Sequence, residues 1–157
     1  MAQKITPFLW FDHQAEEAAK FYISIFKKGS KMGKIARYGD AGPGPKGTVM
    51  SVTFKLQGQD FYALNGGPLF KFNPAISFFV DCKTQKEVDY YWEKLSHGGR
   101  KDRCGWLVDK YGVSWQIVPD IWKYLSGKDS VKSQRTMKAM LQMNKLDIQK
   151  LRKAYEG

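Results

Sequence analysis

The chain has 157 residues, of which 43% are hydrophobic, and it carries 26 Lys and Arg against 15 Asp and Glu, a formal net charge of +11. The length and the hydrophobic content are ordinary for a globular protein with a substantial core, and no apolar run reaches the length of a membrane span or a signal-peptide core, so we expect a cytoplasmic protein. No basic block exceeds two or three residues, so a solvated surface or a site for a small anion explains the charge as well as nucleic acid does, and we do not expect nucleic-acid binding.

The first half of the chain predicts one strand, one helix and three further strands. These elements are the strand Ile5–Phe11, a helix with apolar positions from Ala15 to Phe26 that Gly29 ends, and the strands Lys34–Tyr38, Thr48–Gln57 and Phe61–Asn65. Residues 39–47, GDAGPGPKG, are too rich in Gly and Pro for regular structure. They predict a loop of the kind that commonly lies over a site.

The second half predicts the same order of elements, followed by a helical tail. The predicted strands are Ala75–Cys82, Gly105–Asp109 and Val113–Val118, the helix runs from about Thr84 to Ser96, and the tail helices are Asp120–Ser126, Lys132–Asn144 and Leu146–Tyr155. The run Phe11–Phe26 also returns as Val80–Leu95 at a constant offset of 69, which aligns Asp12 with Asp81. We interpret this repeat as a structural duplication.

Four segments together resemble one protein family. They are LWFDHQAEEAAKFY (9–22), ALNGGP (63–68), CGWLVDKYGVSWQIVP (104–119) and MKAMLQMNKLDIQKL (137–151). In this order they are similar to the PhnB-like family, often labelled 3-demethylubiquinone-9 3-methyltransferase-like. That family lies within the vicinal-oxygen-chelate superfamily of glyoxalases, bleomycin-resistance proteins and extradiol dioxygenases.

The resemblance implies an α+β fold of two βαβββ modules, at about 4–67 and 75–119, that form a cupped mixed sheet. Residues 1–119 would hold the paired modules, and residues 120–157 would form a helical appendage rather than an independent domain. The resemblance also implies a homodimer. Whether each cup closes within one subunit or across two stays open.

Metal-using members of that superfamily take one ligand from the first strand and one from the last strand of each module. The resemblance carries these positions to Thr6 or Pro7, Leu64 or Asn65, Ala75, and Gln116. Of these, Gln116 alone is a plausible ligand, and Asn65 would be a weak one. The usual metal site therefore looks eroded. We predict no cofactor, with a divalent metal at the degraded site as the alternative.

A candidate pocket follows from alternation along the predicted strands. Gln116 would share a face with Ser114 and Val118, while Ala75, Ser77 and Phe79 would share the corresponding face of the first strand of the second module. The candidate ligand-binding residues are Phe8, Trp10, Asn65, Ser77, Cys104, Trp106 and Gln116. Such an aromatic lining with a few neutral polar groups suits a planar or partly apolar organic ligand.

No catalytic constellation emerges from the sequence. Lys83 beside Cys82 favours a lowered thiol pKa, but a buried structural thiol is the better interpretation, and both cysteines are expected to be reduced. We therefore expect a protein that binds a small organic molecule, and leave open whether chemistry follows. The alternatives are an enzyme acting on a quinone-like substrate, as the family label suggests, and a drug-sequestering resistance protein.

Overall fold

A computed structural model describes residues 4–127 and 129–157, which fall into two compact units. The first unit ends at Phe72 and the second begins at Asn73. None of the helices in these described ranges is long and apolar enough to cross a bilayer.

The first unit is one four-stranded mixed sheet with a helix on one face. Its elements are β1 (Phe8–Phe11), α1 (Ala15–Phe26), β2 (Lys31–Arg37), β3 (Val49–Leu56) and β4 (Gln59–Asn65). The strand order is β1-β4-β3-β2, with β1 parallel to β4 and the other pairs antiparallel. This is a βαβββ module.

The second unit repeats the module and adds the tail. Its elements are β5 (Phe78–Cys82), α2 (Gln85–Ser96), β6 (Arg100–Lys101), β7 (Trp106–Val108), β8 (Ser114–Pro119), α3 (Trp122–Leu125), α4 (Ser130–Leu141) and α5 (Ile148–Glu156). The order β5-β8-β7-β6, with β5 parallel to β8, matches the first sheet. The predicted α+β fold with two βαβββ modules and C-terminal helices is confirmed.

Several predicted boundaries were wrong, each for a local reason. β1 begins at Phe8 rather than Ile5, just after Pro7, whose ring removes a backbone donor. β5 begins at Phe78 rather than Ala75 because Asn73 and Pro74 form a turn, in which the Asn73 side chain accepts the N–H of Ala75 at 2.9 Å. Strand β6 was not predicted, since two residues are too few to show alternation.

Each helix covers one face of its own sheet, and the core lies between them. In the first unit Tyr22 of α1 packs on Phe54, which stacks on Phe61 with ring centroids 5.2 Å apart. In the second unit the buried face of α2 is formed by Val88, Trp92 and Leu95. Because side chains alternate along a strand, the residues between these buried positions point to the opposite face of the sheet. That face carries no helix from its own βαβββ module, since in the described ranges each module has one helix.

The tail is tied to the second module through both side chains and backbone. Val118, at the end of β8, packs in one buried cluster with Ile121, Leu146 and Leu151. The backbone N–H of Cys104 donates to the Met143 carbonyl at 2.8 Å, ahead of β7. The tail therefore covers the Val118 end of the second sheet.

A buried carboxylate holds the turn between β7 and β8. Asp109 is 3% exposed and accepts hydrogen bonds from the backbone N–H groups of Tyr111 and Val113 and, at 2.8 Å, from the indole N–H of Trp115. Trp115 is itself buried, so its indole donor depends on a protein acceptor. Asp109 thus fixes both the turn and the ring next to Gln116.

Replacing Asp109 with Ala should lower the free energy of unfolding by about 2 to 4 kcal/mol, because it strands buried donors of the turn and of Trp115. Urea denaturation measures the change. The matched control is Asp102→Ala, whose partly exposed carboxylate pairs with Arg100 and should cost less than about 1 kcal/mol. Equal losses in the two variants would show that Asp109 does not hold this turn.

Candidate ligand-binding site

The helix-free face of the second sheet presents an aromatic, an amide and a second aromatic side by side. Register pairs Phe79 of β5 with Gln116 of β8, and Gln116 with Trp106 of β7. Residues paired across neighbouring strands point to the same face. Phe79, Gln116 and Trp106 therefore form a row across three strands, which we call the Gln116 row.

Gln116 is held in this row by a residue that precedes β5. Its amide Nε2 donates to the hydroxyl of Ser77 at 2.9 Å, and both side chains are half-buried. In the part of the chain that the structure describes, the amide oxygen of Gln116 has no partner. The row therefore offers an oriented amide with hydrogen-bonding capacity to spare.

The predicted face is open only around the Gln116 row. Val118 shares the alternation of Gln116 but lies in the cluster formed with the tail, so it is not available to a ligand. Ser114 lies on the same side and is 2% exposed, and its hydroxyl has no partner among the described residues. Ala75 is exposed and lies before the strand rather than on it.

The predicted residue Cys104 faces the tail. Its thiol donates to the Met140 carbonyl at 3.7 Å, and its backbone has a φ of 59°. Its N–H also binds the Met143 carbonyl, so both of its donors are used by the tail. The structure brings Ser77, Trp106 and Gln116 together with Phe79, whereas Cys104 anchors the entry to β7.

Phe8 and Trp10 lie on the helix-free face of the first sheet. Phe8 stacks on Tyr62 with centroids 6.1 Å apart, and the indole N–H of Trp10 donates to the Gly67 carbonyl at 2.9 Å. Trp10 pairs with Leu64, which thus occupies in β4 the place that Gln116 occupies in β8. The first sheet has an apolar group where the second has its amide.

Asn65 has a different setting, at the junction of three elements. Its Oδ1 accepts the N–H of Ala15 at the start of α1 at 2.8 Å, and its Nδ2 donates to the Val49 carbonyl at 3.0 Å. Its own carbonyl accepts the Tyr38 hydroxyl at 2.5 Å. These bonds join β4 to the starts of α1 and β3 and to the end of β2.

A concavity of about 750 Å³ lies beside Asn65 in the first unit, under the Gly- and Pro-rich loop. Its polar lining is mainly acidic, with Asp12, Glu16 and Glu17, and the Lys20 ammonium that binds Glu16 holds the pKa of that carboxyl below its ordinary value. The sequence predicts here a loop of the kind that commonly lies over a site, and it does not identify these side chains. We call it the acidic cleft.

The residues do not fit the metal site of the superfamily. Three of the four ligand positions are occupied by Thr6 or Pro7, by Leu64 or Asn65, and by Ala75. The side-chain oxygen and nitrogen of Asn65 already form hydrogen bonds with Ala15 and Val49. In the described ranges no group of three or more His, Cys, Asp or Glu is placed to hold a metal ion. Gln116 is left as a neutral amide beside Ser77.

The chain also does not fit the usual cradle for S-adenosylmethionine. That cradle is a Gly-rich turn between a strand and a helix. Here the turns from β1 to α1 and from β5 to α2 contain no glycine, and the Gly-rich loop joins the antiparallel strands β2 and β3. The turns that lead into the two helices thus lack the cradle's sequence.

Cys82 is a buried structural thiol rather than a nucleophile. It is 0% exposed, and burial, followed by the charges of Glu87 and Asp81, raises its pKa to about 12. The neighbouring Lys83 lowers the pKa by a smaller amount, so the positive charge does not activate the thiol.

Comparisons with known proteins agree on one family and fold. The profile of the family described as 3-demethylubiquinone-9 3-methyltransferase matches residues 3–118. The chain is 43% identical to the PhnB protein from Bacillus cereus, with a TM-score of 0.68 over 74% of this chain and 99% of that chain. No curated protein matches the chain.

Two more distant solved structures share the fold alone. Protein PA1353 from Pseudomonas aeruginosa is 19% identical, with a TM-score of 0.62, covering 75% of this chain and 98% of that chain. The fosfomycin resistance protein FosX from Listeria monocytogenes, complexed with Mn(II) and sulfate, is 12% identical, with a TM-score of 0.54, covering 80% of this chain and 97% of that chain.

Iodoacetamide at pH 8 should leave Cys82 unmodified in the folded protein, because at a pKa of about 12 only about one thiol in ten thousand is ionised. Mass spectrometry of the digested protein measures modification at each cysteine. The Cys104→Ser variant isolates Cys82, and urea-unfolded protein gives its reference rate. Alkylation of folded Cys82 at the unfolded rate would show that the thiol is accessible and ionised.

Proposed function

The chain belongs to the 3-demethylubiquinone-9 3-methyltransferase family, as its sequence predicted, and on that premise we propose that it binds a small, planar, partly apolar organic molecule at the Gln116 row. The observation that carries the proposal is the alignment of Phe79, Gln116 and Trp106 across three neighbouring strands. Of the sites described above, this one combines exposed aromatic surface with an oriented neutral amide.

The spacing of the row suits a single aromatic ring. Neighbouring strands lie about 4.8 Å apart, so the two outer positions of the row are separated by roughly 10 Å. Phe79 is 47% exposed and Trp106 is half-buried, so both have aromatic surface to cover. A planar ligand would bury part of both rings, a contribution of about 1 to 3 kcal/mol from area alone.

The amide at the centre favours a neutral polar ligand group. Gln116 donates to Ser77 and keeps its amide oxygen without a partner among the described residues. An amide accepts from a hydroxyl and donates to a carbonyl without the desolvation cost of a charge. Quinone and hydroquinone rings carry these groups, and the description of the family supports a quinone-like ligand.

The proposal is binding rather than methyl transfer. The family description favours an enzyme acting on a quinone-like substrate. However, the turns that lead into the two helices do not have the Gly-rich sequence of the usual methyl-donor cradle, and the Cys82 thiol is buried and protonated. What supports binding is the row itself, whose two aromatic side chains and amide would orient a ring.

Titration of ¹⁵N-labelled protein with duroquinone, whose fully substituted ring does not add thiols, tests this site. The side-chain amide of Gln116 and the indole of Trp106 should shift together, while the buried indole of Trp115 should not. Gln116→Leu, which reproduces the residue found at position 64, should weaken binding about tenfold because the hydrogen bond from the second amide N–H of Gln116 to a quinone carbonyl is lost.

The matched control is Gln134→Leu, an exposed glutamine on α4 in the same unit, which should leave affinity unchanged. If the two glutamine variants bind equally well, or if the shifts gather in the acidic cleft, the Gln116 row is not the site.

A further inference from the structure

The helix-free face of the first sheet contains a depression of about 420 Å³ with a basic lining. Lys31 and Lys34 reach it from β2 and Lys55 from β3, with Asp60 and Tyr62 from β4. The depression lies wholly within the first unit. We call it the basic depression, and it is independent of the function proposed for the Gln116 row.

Two lysines of the basic depression face each other, which destabilises the folded protein. Register places Lys31 directly opposite Lys55 on antiparallel strands, and like charges in such pairs are destabilising. Lys55 forms an ion pair with Asp60, which faces it from its other side. In residues 4–127 and 129–157, the ammonium groups of Lys31 and Lys34 have no partner.

Protection of a sheet edge does not account for this arrangement. β2 is an edge strand, and lysines on an edge discourage pairing with other chains. That role explains Lys31 and Lys34, but Lys55 lies on the inner strand β3 and still lines the depression. The cluster spans an edge and an interior strand, so edge protection explains only part of it.

The backbone geometry of β2 adds a hydroxyl to the same surface. A Cβ at Gly33 would lie 2.3 Å from the Thr53 hydroxyl oxygen and 2.9 Å from its carbonyl, so only glycine lets the strands approach here. The Thr53 hydroxyl accepts the N–H of Lys34 at 2.8 Å. Its own proton is then available to an acceptor in the depression.

One wall of the depression is aromatic. Tyr62 is 44% exposed and stacks with Phe8 at 6.1 Å on the same face. A ligand that matches both features combines a ring with an oxyanion. We propose that the basic depression binds an aromatic oxyanion, a ring bearing a carboxylate or a phosphate, with the anion at Lys31, Lys34 and Thr53 and the ring against Tyr62.

The test titrates the full chain with benzoate, phenyl phosphate and the neutral isostere benzamide, followed by ¹⁵N chemical shifts. At least one of the two anions should bind about tenfold more tightly than benzamide and shift the amides of Gly33, Lys34 and Tyr62. The two anions separate carboxylate from phosphate recognition, and preference for either supports the site.

Lys31→Gln should weaken the tighter anion about fivefold or more, while leaving the thermal midpoint of the ligand-free protein unchanged or higher, because a like-charge contact is removed. Lys28→Gln is the matched control, since Lys28 is exposed and outside the depression and its loss changes the net charge equally. Equal weakening in both variants, or no preference over benzamide, would overturn the proposal.

Discussion

The parallel pairing of the first strand of each module with its last strand is the constraint on which this structure depends. β1 pairs with β4 and β5 with β8, so each module must send its chain over one face of the sheet as a helix before the antiparallel strands follow. The helix fills that face with core, and the other face carries no helix from the module. Both proposed binding surfaces lie on such helix-free faces.

The same scaffold carries different chemistry in its two copies. Where the second sheet has Gln116 between two aromatic side chains, the first sheet has Leu64 next to Trp10. The charged groups of the first sheet lie on strands β2 and β3, around Lys31 and Lys55. The two modules share the strand pairing and the buried helix faces, because these determine the fold. The helix-free faces differ in their side chains, because packing within each module does not constrain them.

Much of the fold could be predicted because it follows from local periodicity. Alternation along β8 predicts that Gln116 shares a face with Ser114 and Val118. The register that sets Gln116 opposite Phe79, and its hydrogen bond to Ser77, depend on contacts 37 to 39 residues away. The covering of Val118 by the tail depends on docking, which amphipathic spacing does not specify. The hydrogen bond from the Trp115 indole to Asp109 is a tertiary contact of the same kind.

A crystal structure of the chain grown with duroquinone tests most directly whether the Gln116 row binds a planar ring. The predicted result is a ring ordered between Phe79 and Trp106, with a quinone oxygen about 3 Å from the amide nitrogen of Gln116. A ring ordered in the acidic cleft beside Tyr38, with the Gln116 row unchanged and empty, would contradict it.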